Sequence, residues 1–206
     1  MAEVKTRGTG EVKHRADRAT LSLTYRARAA DRTKATEALN AKVGPVEQLL
    51  ERSGVRIRSR DLFVHDTWNG RRRSGAEAEQ RYEVRIADFD VLQELVAELV
   101  ASEPAWLSGP SWELKDRAAA TREAQNLAVM DARDRAEGYA AALGARLARL
   151  VRIEDEAAGG FDEMAPRLAH GMPGGAEGAP NLGELRMEPE QVSVRVNCVA
   201  VWDLVS

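Results

Sequence analysis

Three histidines, one cysteine and a run of three arginines are the side chains best equipped for chemistry in this 206-residue chain. His14, His65 and His170 lie about fifty or more residues apart, so no local spacing brings two of them onto one metal ion. A metal site is not expected. No serine sits in a recognisable nucleophile turn, and Cys198 alternates with Val196 and Ala200 as a small core residue would. With one cysteine, neither an intrachain disulfide nor a cysteine-based zinc site can form. An enzyme site would have to be assembled by folding from dispersed residues such as His65, Asp61 and Tyr82. The expectation is therefore a non-enzyme with no catalytic residues and no cofactor. Gly8-Thr9-Gly10 could be read as a phosphate cradle, but a strand follows it, and a cradle needs a helix N-terminus. A tight turn or bulge between two strands is the expected role.

The remaining chemistry is cationic. Arg56, Arg58 and Arg60 alternate along one strand and are expected on one face, with Glu79, Arg81, Glu83 and Arg85 on one face of the next. Cross-strand ion pairs, for instance Arg60 opposite Glu83, explain such a pattern without a ligand. Trp68 with Arg71, Arg72 and Arg73 at the hairpin tip joins an aromatic ring to clustered cations, which could stack and pair with an anion or a nucleic acid.

The elements that would position these residues follow from periodicity. Alternation over Asp17–Ala29 predicts a half-buried strand. Asp31 caps a helix that Gly44-Pro45 should kink and Gly54 should end. Strands 55–68 and 78–87 flank the turn-rich segment 69–75. Asp88 caps a second helix with an apolar stripe at Val91, Leu92, Leu95, Val96, Leu99 and Val100, closed by Pro104. After a strand near Trp106–Leu114, Asp116 caps the longest helix, in which alanine recurs every four residues from Ala120 to Ala140. Strands at 147–154 and 191–204 complete the set. Hairpins with intervening helices predict an α+β fold, its antiparallel sheet or sheets carrying three main helices on one face. Two strand-helix-strand passages recur without enough identity to count as a repeat.

Between the last two strands, residues 157–189 hold seven glycines, four prolines and three methionines. This insertion is long for a compact domain, so it is either disordered or ordered by contacts outside its own fold. In the second case Phe161, Met164, Leu168, Met172, Leu182, Leu185 and Met187 are the candidate oligomer contacts, methionine adapting well to irregular surfaces.

Composition bounds the rest. The chain is 44% hydrophobic and 31% charged, ordinary for a globular protein, and one domain over 1–206 is the simplest expectation. Thirty basic against 33 acidic residues leave a net charge of −3, so a nucleic-acid partner is not expected from the totals. No stretch approaches the ~20 apolar residues that span a bilayer, and no signal-like apolar region opens the chain. A cytoplasmic location without membrane association is the expectation, and any small-molecule ligand is left unidentified.

The chain also resembles the SIMPL-domain proteins, bacterial proteins of largely undefined role. The resemblance rests on Val4-Lys5-Thr6-Arg7-Gly8-Thr9-Gly10-Glu11-Val12 leading into Asp17-Arg18-Ala19-Thr20-Leu21-Ser22-Leu23. It continues through Glu123-Ala124, Asp131-Ala132-Arg133-Asp134-Arg135-Ala136 and Ala141-Ala142-Leu143-Gly144, and ends on Glu188-Pro189-Glu190-Gln191-Val192-Ser193-Val194-Arg195-Val196. Ala16 stands where the family usually has a proline. The resemblance implies an α+β fold, self-association into a homo-oligomer, and a link to stress defence. It supplies no catalytic residues.

Overall fold

The computed structural model describes residues 2–156 and 187–206. Seven strands and three helices follow in the order β1 (Ala2–Arg15), β2 (Arg18–Ala29), α1 (Arg32–Leu50), β3 (Val55–Asn69), β4 (Arg72–Ile86), α2 (Phe89–Ala101), β5 (Trp106–Glu113), α3 (Arg117–Ala142), β6 (Arg146–Glu156) and β7 (Gln191–Val205). They form two antiparallel sheets, so the α+β expectation holds. The elements fall into two compact units, one built from the two ends of the chain and one from its middle.

The middle unit is a four-stranded sheet in the order β3-β4-β2-β5, every neighbour antiparallel. The two strand-helix-strand passages are interleaved here, which is the split βαβ arrangement. Its core joins Leu21, Leu23 and Tyr25 of β2, Tyr82, Val84 and Ile86 of β4, Leu39, Val46 and Leu50 of α1, and Leu92, Leu95 and Leu99 of α2. Both helices therefore cover one sheet face. Asp31 and Asp88 start them as expected, each side chain accepting from backbone amides of its first turn. Helix α1 stops at Leu50, short of Gly54. Gly54 takes φ +84° in the turn into β3, so its glycine serves that turn and does not cap the helix.

The terminal unit is a three-stranded sheet, β1-β7-β6, with α3 against it. All six alanines from Ala120 to Ala140 are buried, four of them with no exposure at all. Strand β1 runs unbroken through Gly8-Thr9-Gly10, which corrects the expected turn. A Cβ on Gly8 would lie 1.9 Å from the carbonyl oxygen of Ala128, and one on Gly10 equally close to that of Ala124. The two glycines and the alanine ridge are two halves of one contact, in which a strand backbone approaches a helix backbone directly. Thr6 Oγ1 donates to the Ala132 carbonyl at 2.7 Å, and the Thr9 amide to Asp131 Oδ2 at 2.9 Å.

Candidate functional site

The long β3–β4 hairpin turns through Gly70-Arg71, with Asn69 paired to Arg72. The expected seven-residue connection is thus mostly strand: Arg72, Arg73 and Gly75 pair with Asn69, Trp68 and Thr67, and Ser74 is the extra residue of a bulge at Thr67/Trp68. At the tip Trp68 is 62% exposed and pairs across the strands with Arg73. Arg73 is tied to Asp66 at 3.2 Å, and Arg32 at the start of α1 grips the same carboxylate with two hydrogen bonds. Arg71 and Arg72 make no ion pair among the described residues. The tip thus holds one exposed indole and two available cations on an anchored base.

A second bulge, between Ile57 and Ser59, resets the phase of β3. Arg60, on the turn side of that bulge, pairs with Tyr82, not Glu83, and lies 3.7 Å from Glu47 of α1, while Arg56 beyond the bulge pairs with Arg85 on the other face. Arg58 reaches Glu83 at 2.7 Å on the face away from the helices. The three arginines do not share a face.

That helix-free face carries an arrangement with no signature in the sequence. Glu77 and Glu79 of β4 are 6% and 5% exposed although they lie on the face opposite the core residues Ala76, Ala78 and Tyr82. Arg28 and Arg26 of β2 stand directly opposite them, and Arg81 lies two residues along β4. Glu79 accepts from Nε of both Arg26 and Arg81 at 2.5 Å, while Glu77 accepts from Nε of Arg28. Burial by itself would raise the Glu79 pKa, but the two guanidinium hydrogen bonds together outweigh it and hold the carboxyl below its ordinary range. Arg81 also lies 4.8 Å from the centre of the Phe63 ring.

The candidate chemical groups are dispersed. Asp61 pairs with Arg81 and His65 with Glu77 on the helix-free face, whereas Tyr82 points to the core and donates to Glu47 at 3.1 Å. Those three side chains do not converge. His14 meets Glu123 at 2.9 Å in the other unit. Cys198 is buried against α3, and that burial raises its thiol pKa. No group of three His, Cys, Asp or Glu side chains fit to hold a metal occurs among the described residues. A cleft of about 600 Å³ in the terminal unit is lined by Ala2, Leu143, Ala145, Leu204, Val205 and Ser206, which offer no base or nucleophile pair. Met187 is half-buried outside any regular element, while Phe161, Met164, Leu168, Met172, Leu182 and Leu185 lie outside the described residues.

In the terminal unit, Glu11 of β1 accepts from Arg195 at 2.6 Å and Ser193 at 2.8 Å, both on β7. The Arg195 bond, then the Ser193 bond, lower its pKa to about 2. A carboxylate whose folded pKa is depressed stabilises the fold above its unfolded pKa and loses that contribution as pH falls toward the folded value. Acid titration followed by circular dichroism should show destabilisation as pH falls from about 4.5 toward 2, with a smaller pH dependence in Glu11→Gln.

No curated protein matches the chain. A crystal structure from Burkholderia cenocepacia, described among amidohydrolases or peptidases, aligns with 16% identity over 60% of this chain at a TM-score of 0.27. This chain spans 34% of that protein, and the likeness carries no argument. The family model described as SIMPL, protein of unknown function (DUF541), matches residues 4–202. The chain belongs to the SIMPL family.

Proposed function

We propose that this protein is a non-catalytic, self-assembling module whose terminal unit carries the contact surface. The observation behind this reading is the rim formed by edge strand β6, where Leu150, Val151 and Ile153 are 42%, 45% and 46% exposed. An edge strand offers unpaired backbone groups that a second copy can pair with, and here three exposed branched side chains are interspersed with Arg149, Arg152 and Glu154, so apolar contact and ion pairs of both signs are on offer together. The same unit exposes Met130, Tyr139 and Leu143 on α3. The scattered positions of His14, His65, Cys198, Asp61 and Tyr82 support a non-catalytic role.

Light scattering on the purified chain at micromolar concentration is expected to give a mass above that of the 22.6 kDa monomer. The double substitution Val151→Lys with Ile153→Lys should shift it to monomer while leaving the circular dichroism spectrum intact. A monomeric unmodified protein, or an assembly indifferent to the two lysines, refutes the proposal.

A further inference from the structure

We propose that the helix-free face of the four-stranded sheet binds single-stranded nucleic acid, using Arg26, Arg28 and Arg81 for phosphates and the Trp106 ring for a base. Each of these arginines spends its Nε on a buried glutamate. Their terminal Nη groups have no hydrogen-bond partner among the described residues, and the side chains of Arg26, Arg28 and Arg81 are 51%, 77% and 55% exposed. The side chains of Glu77 and Glu79 are only 8% and 7% exposed. Carboxylates therefore lie beneath and guanidiniums lie on top, pre-oriented with their forked donors outward. The chain's near-balanced totals conceal this layering, because composition counts a buried Glu and an exposed Arg alike.

The spacing suits an extended polyanion. Arg26 and Arg28 are two residues apart on β2, about 7 Å along the strand, comparable to successive phosphates of an extended nucleic-acid chain. Trp106 of β5 pairs with Thr24, which pairs in turn with Arg81, so the indole lies on the same face two strands from Arg81, about 10 Å away. At 65% exposure it is open for stacking, whereas Phe63, 47% exposed, already holds the Arg81 guanidinium 4.8 Å from its ring centre. An aromatic ring beside outward cations matches nucleic acid better than a plain polyanion, since stacking rewards the base as well as the phosphate. Asp61 opposite Arg81 and the neighbouring Glu83 oppose binding, and His65 opposite Glu77 completes the ionisable groups at this end of the face.

The test is fluorescence anisotropy of a labelled oligothymidylate with the full-length protein across a salt series. Three phosphate contacts should give a log–log salt slope of about −2. Arg28→Gln should flatten the slope by about 0.7. Trp106→Ala should weaken binding roughly tenfold. Asp61→Asn should tighten it. Arg28 and Trp106 are the most exposed members, so both variants should retain the native circular dichroism spectrum; if one does not fold, the other still decides. Arg71→Ser with Arg72→Ser at the hairpin tip should leave binding unchanged. Absence of salt-dependent binding overturns the proposal. So does loss of binding with the tip variant alone, or duplex DNA and heparin binding as tightly as the oligonucleotide with Trp106→Ala neutral.

Discussion

Replacing Gly10 with alanine is expected to destabilise the protein by about 3 kcal/mol or more, with Gly8→Ala close behind. Ordinary overpacking is relieved by shifting a side chain, but at both sites the obstructing atom is a helix carbonyl oxygen only 1.9 Å from the new methyl. Backbone cannot rotate out of the way, so either β1 must leave α3 or the helix must move along its whole length. Departure of β1 would strand the hydrogen bonds from Thr6 to Ala132 and from Thr9 to Asp131. Gly138→Ala is the control. That glycine lies in α3 with nothing within 4 Å of a Cβ, so alanine there should stabilise by roughly 0.5–1 kcal/mol through helix propensity. Urea denaturation of the variants checks both signs. Similar midpoints for Gly10→Ala and Gly138→Ala would refute the backbone-contact account.

The misreading of Gly8-Thr9-Gly10 shows where sequence reasoning reached its limit. The alanine ridge and the glycine pair were each visible, but matching them requires knowing that residues 8 and 128 meet. Local periodicity has no access to a contact of that sequence separation. Elements with a strong local signal fared better. Caps at Asp31, Asp88 and Asp116, strands at 18–29 and 191–205, and the helix ending near Gly144 follow from nearby residues, and their ends fall close to expectation.

Register is the intermediate case. The hairpin of β3 and β4 was legible, yet Arg60 opposite Glu83 was one residue out, because the register is set at the tip by a two-residue turn and a bulge at Thr67/Trp68 that no composition cue marks. One slipped residue moves a side chain to the other face, which is why Arg60 lies beside Glu47 of α1. The buried Glu77 and Glu79 were hidden for a related reason. Alternation correctly assigns them to the polar face, but only the pairing with Arg26 and Arg28 shows that guanidiniums cover them. The hairpin tip, by contrast, was read correctly as an exposed aromatic beside arginines, since turn residues and a long hairpin leave it no neighbour to pack against.

Helix α2 supplies the other large effect: Leu95→Ala should cost about 3–4 kcal/mol. The sequence stripe offers six apolar positions, and all look equivalent by spacing. Packing on the sheet separates them, leaving Leu92, Leu95 and Leu99 with no exposure while Val91, Val96 and Val100 stay half-buried along the flanks. Leu95 is the middle of the three, one turn from each neighbour, so a cavity there has Leu92 and Leu99 on either side and little freedom to collapse. Val96→Ala, at the margin, should cost less than half as much. Because α2 and α1 together cover the inner face of the β3-β4-β2-β5 sheet, weakening this seam loosens the platform that aligns Arg26, Arg28 and Arg81 on the outer face. Leu95→Ala should therefore also raise hydrogen exchange at the β2 and β4 amides, whereas Leu62→Ala, on a half-exposed edge residue, should leave both stability and exchange almost unchanged. Equal midpoints for Leu95→Ala and Val96→Ala would show that α2 does not hold the sheet by this seam.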